Sequence, residues 1–274
     1  KWFDMYKPAD MVLPESRHDP LHGAPEHLKI FAATHPTEQR NWVAPCGYGS
    51  DALLAEAIAA TYGMISMVDD GVGKVLGTLE RLGIREDTII VFTSDHGDMM
   101  GEHSLFIKGF MHYRGTLQVP MVIDHPDLQA GRTPALASSI DLGPTLMDLC
   151  DIKAYDGIQG KSLSPLLHNA EDKVRDHILI EDDVPMITAK LTPIPARTRT
   201  LITEDYRFTR NSKGEEQLFN LQADPDEMND VKKTDPARAE LLARMTDAMM
   251  LADDSSRGAP SQEILEISPL GQNQ

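Results

Sequence analysis

The sequence predicts an α/β layer followed by a small antiparallel sheet with one helix. Three observations predict it. A three- and four-residue apolar period over 51–82 leads through a short turn into Thr88-Ile89-Ile90-Val91-Phe92-Thr93, the order helix, turn, buried strand that makes half of a βαβ unit. A second continuously apolar run follows at Val119 to Ile123. After about residue 175 the pattern changes to short strand-sized runs divided by turn residues.

Residues 1–50 are rich in Pro, His and Gly without a clear period, and are expected to be irregular with short helical turns. So long a stretch inside a compact unit is unusual unless it is functional or lies against another part of the protein. In 51–82, Leu54, Ile58, Thr61, Ile65, Val68, Val72, Val75 and Leu79 share the helical period. Ser50 or Asp51 can cap the start, and Gly83 is a natural stop. The run at 88–93 reads as a fully buried strand because it is continuously apolar and β-branched, and 119–123 reads as a second. Ile140 to Cys150 reads as a helix with Pro144 in its first turn, and Cys150 on it as a small core residue. His177 to Glu181, Arg199 to Thr203, Tyr206 to Arg210 and Gln217 to Asn220 are candidate strands, with hairpin turns at Glu204-Asp205 and Ser212-Lys213-Gly214. Asp235 is placed to cap a final helix over Pro236 to Met250. The expected division is 1–175 for the α/β part, 176–251 for the small sheet and helix, and 252–274 for a loosely held polar tail.

Bulk properties limit the function. Charged residues are 25% and apolar residues 41% of the chain, and the net charge is −17. That charge argues against a nucleic-acid partner, which needs a basic face. It leaves room for a small anionic substrate, because a local cation or metal can dominate one cleft. No uninterrupted apolar run approaches the roughly 20 residues of a membrane span, so no membrane partner is expected. Two cysteines, Cys46 and Cys150, make neither a disulfide framework nor a zinc site. The opening Lys1-Trp2-Phe3-Asp4 has no initiator Met and no signal pattern. It reads as the interior of something longer.

The chemistry is concentrated in Thr93-Ser94-Asp95-His96-Gly97-Asp98, then Gly101-Glu102-His103, then Lys108-Gly109. Asp95 and His96 fall just past the carboxyl end of a strand, the edge where open α/β sheets bind ligands. A carboxylate and an imidazole facing one cleft suit a divalent metal, although such a pair alone also describes an ordinary turn with local hydrogen bonds. Lys108, thirteen positions after Asp95, can fold back over the same edge and hold an anionic oxygen.

The full string from Ser94 to His103, with Lys108-Gly109, resembles the metal-and-anion loop of the sulfatase family within the alkaline phosphatase superfamily. Further segments resemble the same family in the same order: Tyr62 to Leu76, Arg114 to Ile123, Ser139 to Leu146, Gln159 to Leu163, and Leu218 to Leu221 with Asp224 to Asp230. Together they cover roughly residues 55–250. The resemblance implies part of an α/β/α sandwich of the alkaline-phosphatase-like type, followed by the small C-terminal α+β subdomain. It implies that Asp95 and His96 are two ligands of one divalent cation, usually calcium, and that Lys108 binds the substrate's sulfate or phosphonate oxygens and assists the leaving oxygen. His103 could reach the substrate or cap the loop. The implied reaction is metal-assisted hydrolysis of a small-molecule sulfate ester, with a formylglycine oxygen attacking sulfur.

One departure matters. The family's nucleophile, a residue oxidised to formylglycine, lies in a C-x-P-S-R or S-x-P-x-R motif, and neither occurs here. Leu13-Pro14-Glu15-Ser16-Arg17 lacks the nucleophile position, and Cys46 is followed by Gly47-Tyr48-Gly49. The expectation is therefore an incomplete, inactive fragment whose formylglycine-bearing N-terminal half lies elsewhere, with self-association or a second chain supplying that half as partner states. Two alternatives remain: a phosphonate monoester or phosphodiester hydrolase or two-metal phosphatase of the same superfamily, and a non-catalytic binding or structural module.

Overall fold

The structure is a computed structural model and describes residues 1–33, 47–155, 157–170, 172–184 and 194–256. Cys46 lies outside the described residues, as do 257–274 of the expected tail.

The amino-terminal stretch holds two 3-10 turns, Pro8–Asp10 and Glu15–His18, and a short helix α1, Glu26–Ala32. The long helix α2 spans Asp51–Leu82, as its apolar period predicts. Ser50 Oγ accepts the Leu53 amide at 3.3 Å and satisfies one of the free first-turn donors. Gly83 ends the helix in the left-handed region at φ +67°, which costs glycine little. Burial is confined to its first half, at Leu54, Ile58, Ala59 and Gly63. Of the rest of the apolar stripe, Ile65 at 59%, Val68 at 52% and Val75 at 61% are exposed, and Val72 and Leu79 are half-buried. By length and composition α2 could cross a membrane, yet Asp69, Asp70 and Lys74 interrupt its middle, with Lys74 paired to Asp70 at 2.6 Å.

Strand β1, Ile90–Thr93, pairs antiparallel with β4, Met121–Asp124, and Ile90 stands opposite Asp124. Between them β2, Met99–Met100, pairs antiparallel with β3, Phe106–Ile107, and the short helix α3 covers Arg114–Leu117. This corrects the sequence reading in two ways. The β1–β4 pair is antiparallel, so β1 joins no parallel crossover here. Neither strand is fully buried: Phe92 is 42% and Val122 54% exposed. Apolar residues at every position show that a strand can be covered on both faces, and within this chain the cover is partial.

Helix α4, Leu142–Leu149, follows a 3-10 turn whose Ser138 and Asp141 form a reciprocal capping box. Asp141 is fully buried, accepts the Ser138 and Lys161 amides at 2.8 Å each and pairs with Arg175. Cys150, expected in the core, is exposed at the end of α4, on the side of the helix that also leaves Leu146 exposed, while Pro144 and Thr145 are the buried residues. Helix α5 covers Ser164–His168.

Strands β5 (Ile178–Asp183), β6 (Arg197–Ile202), β7 (Tyr206–Asn211) and β8 (Glu216–Asn220) form an antiparallel meander in that order. Helix α6, Ala237–Ser256, lies on it and runs past the expected end at Met250. Asp235 Oδ1 accepts the Ala237 amide at 2.9 Å and starts that helix. Leu201, Phe208 and Leu218 of the sheet bury against Leu241 and Met245 of α6. A second core joins Leu28 and Phe31 of α1 to Met99, Leu105, Met111, Tyr113 and Phe219, so the loop between β1 and β4 is seated on the meander.

Large apolar side chains left open along α2 predict that the purified chain associates. Light scattering should report species larger than one chain, reduced by Ile65→Lys with Val68→Lys. A monodisperse wild-type monomer would count against this face being sticky.

Candidate functional site

β1 delivers the chain to Ser94, and the next three residues turn it sharply. Ser94 Oγ donates to the His96 carbonyl at 2.9 Å, and Asp95 Oδ1 accepts the His96 amide at 3.0 Å. The Gly97 amide then donates to the Thr116 carbonyl at 2.9 Å. A side chain at 97 has no room, since a Cβ there would sit 2.0 Å from the Gly115 carbonyl oxygen. Gly97→Ala should therefore lower stability by about 1–3 kcal/mol, the usual range for overpacking; an unchanged denaturation midpoint would show that this corner yields freely.

The turn brings three of the four expected site residues together. Asp95 Oδ2 lies 3.3 Å from His96 Nε2, and Lys108 Nζ lies 2.8 Å from the same nitrogen. His96 Nδ1 is 3.0 Å from the Gly97 carbonyl. A carbonyl oxygen only accepts and an ammonium only donates, so Nδ1 carries the proton and Nε2 presents its lone pair. In this structure that lone pair accepts from Lys108; a cation would take it in place of the ammonium. The hydrogen bond from the His96 amide, with lesser help from Ser94 and the imidazole, holds the Asp95 carboxyl below its usual range. Asp95 thus offers a carboxylate, and its side chain is 82% exposed. Carboxylate and imidazole converge from one edge, a donor pair that fits a divalent cation. Two donors are less than a full coordination shell. Among the described residues no group of three or more His, Cys, Asp or Glu is arranged to hold a metal.

Lys108 follows β3, and the β2–β3 pairing of Met99 with Ile107 folds it back beside the Asp95 turn. His103, the fourth expected residue, is placed differently. It is buried, Nδ1 lies 2.7 Å from Asp19 Oδ2, and its ring stacks on Tyr113 with centroids 4.0 Å apart. A cavity of about 500 Å³ opens beside His103, lined among others by Tyr113, Arg114 and Asp226. Asp95, His96 and Lys108 do not line it; Asp95 and Lys108 are exposed and His96 is half-buried.

Sequence reasoning missed the groups that support this loop. Tyr113 accepts a hydrogen bond from Gln217 Nε2 at 2.8 Å. Arg207 lies between the rings of Tyr113 and Phe219 at 4.8 and 4.7 Å and pairs with Glu227. Glu227 Oε2 also accepts the Arg114 amide at 2.8 Å. Burial holds the Tyr113 hydroxyl protonated by pushing its pKa up. The contacts of Tyr113 and Arg114 with Arg207, Gln217 and Glu227 join residues about a hundred positions apart, and no local motif announces them.

Known proteins match the chain along most of its length. A family model described as Sulfatase matches residues 11–152, and one described as N-sulphoglucosamine sulphohydrolase, C-terminal, matches residues 101–254. The arylsulfatase of Clostridium perfringens is 33% identical over 238 residues, 84% of this chain and 45% of that protein. The N-acetylglucosamine-6-O-sulfatase of Bacteroides thetaiotaomicron is 30% identical over 204 residues, 69% of this chain and 34% of that protein. The crystal structure of the phosphonate monoester hydrolase of Agrobacterium radiobacter superposes with a TM-score of 0.73 at 25% identity, over 93% of this chain and 53% of that one. The chain spans less than half the length of the two curated relatives.

Proposed function

The chain belongs to the sulfatase family, and on that premise we propose that it supplies the cation-and-anion edge of a sulfuric ester hydrolase. One observation carries the reading: Asp95, His96 and Lys108 converge on a single point past the end of β1, with 3.3 and 2.8 Å separating their reactive atoms. Asp95 and His96 would hold the divalent cation. When bound, the cation supplies Lewis-acid charge, and a formylglycine supplies the attacking oxygen. Calcium is the ion the resemblance implies. An imidazole in the donor pair also suits manganese, since calcium prefers oxygen ligands.

The chain's own residues then have separate tasks. The Gly97 carbonyl fixes the His96 tautomer, and Asp95 stays ionised. Lys108 donates to a nonbridging oxygen of the ester and stabilises charge gathering on the leaving oxygen. His103 serves from behind the loop. The substrate class is a small sulfate ester, with no nucleic-acid or membrane partner. A phosphonate monoester is the second reading, favoured by the extent of structural likeness to the phosphonate monoester hydrolase.

The nucleophile and remaining cation ligands are assigned to protein outside these 274 residues, either in the same polypeptide or in a partner chain. The exposed apolar side of α2 and the half-covered β1–β4 pair are where that protein would lie. The test is hydrolysis of an aryl sulfate and a phosphonate monoester by the chain alone and by the chain co-produced with a formylglycine-bearing amino-terminal half. The chain alone should cleave neither, and the complete enzyme should prefer the sulfate. Turnover by the chain alone that vanishes in Asp95→Ala would overturn the proposal.

A further inference from the structure

The turn leading to Lys108 has an unusual backbone. His103, Ser104 and Ile107 have φ of +54°, +60° and +57°, in the left-handed region that L side chains avoid and that β-branched residues almost never enter. Lys108 is the next residue. Such conformations persist only where the surroundings over-determine them, and here the surroundings are specific. The Asp19 carboxylate accepts from His103 Nδ1 at 2.7 Å and from the Leu21 amide at 2.8 Å. Ser104 Oγ lies 2.9 and 3.0 Å from the carbonyls of Arg17 and Asp19. The Tyr113 ring lies flat against the His103 imidazole, with 16° between the planes. Burial alone would raise the Asp19 pKa, but the bonds from His103 and Leu21 outweigh it and hold the carboxyl below its usual value.

We propose that Asp19, His103 and Tyr113 are positioning residues, a buried clamp that holds the Gly101–Ile107 turn in its left-handed form and so aims the Lys108 ammonium at the Asp95–His96 edge. The inference rests on the reading of Lys108 as the anion-binding group. The clamp spans 84 positions between Asp19 and His103, so it ties the irregular amino-terminal stretch directly to the chemistry. Without it the turn relaxes towards ordinary torsions and Lys108 moves, while the meander and its helix stay folded.

The test uses the full chain with its lysines 13C-dimethylated, calcium present, and inorganic sulfate as the probe. The Lys108 signal is identified by its loss in Lys108→Ala and should stand apart from the other lysines because the His96 ring is adjacent. Asp19→Ala and His103→Leu should move it to the bulk lysine position and weaken sulfate binding at least fivefold. Asp19→Asn, which can keep one acceptor oxygen for His103 while giving up the bond from the Leu21 amide, should restore part of both. Gln217→Ala removes a bond to the Tyr113 hydroxyl but leaves the His103–Asp19 bond and the ring stack in place; it should lower the melting temperature and leave the Lys108 signal in place. If Asp19→Ala fails to fold, His103→Leu against Asp19→Asn carries the same comparison. Folded clamp variants with a wild-type Lys108 signal would overturn the clamp. An unchanged sulfate affinity in Lys108→Ala would instead remove the anion-binding role of Lys108, with the signal position still deciding the clamp.

Discussion

In an enzyme completed with its nucleophile and loaded with cation, Lys108→Ala lowers kcat about 100- to 1000-fold and leaves bound metal unchanged. The size follows from removing one donor aimed at developing charge, about 2.7–4 kcal/mol. A sulfate ester already carries negative charge on its nonbridging oxygens, and charge moves to the bridging oxygen as the bond to sulfur breaks. An ammonium placed there stabilises the transition state more than the bound substrate, so the loss falls on kcat. Asp95→Ala lowers both kcat and metal content, because it removes one of the two donors beside the ammonium. Lys108→Arg rescues poorly, since a planar fork does not replace a compact charge. Near-normal kinetics in Lys108→Ala would make this residue an ordinary solvated loop lysine.

Glu227→Ala should cost about 3–5 kcal/mol, the range for breaking a buried ion pair by deleting one partner. Both side chains are 2% exposed. The loss strands the Arg207 guanidinium between two aromatic rings and leaves the Arg114 amide without its acceptor. The double variant Glu227→Ala, Arg207→Met should be more stable than Glu227→Ala alone, because no charge is then buried unpaired. Chemical denaturation of the three proteins measures the difference. A single-variant loss under 1 kcal/mol would mean that water reaches the stranded guanidinium.

Elements specified by local chemistry were legible in the sequence. Ser50 and Gly83 bound α2 because capping and left-handed termination are local properties. The meander β5 to β8 followed from turn residues and short apolar runs. The α/β layer is part of the alkaline-phosphatase-like fold that the resemblance implied, as the structural neighbours show. Long-range chemistry was not legible. The β1–β4 direction depends on how a 27-residue connection from Ser94 to Pro120 folds, and an apolar run looks the same in parallel and antiparallel pairs. The exposure of Cys150 depends on which side of α4 finds cover. Asp95, His96 and Lys108 stood out because one loop carries all three. The Asp19–His103 bond and the Arg207–Glu227 pair did not, because each partner taken alone reads as an ordinary polar residue.

The most direct measurement is titration of Mn2+ into the isotope-labelled chain, following paramagnetic broadening residue by residue. The account predicts broadening centred on Asp95, His96 and Lys108 that Asp95→Ala and His96→Ala abolish. Broadening spread over the acidic surface, with equal affinity in both variants, would contradict it.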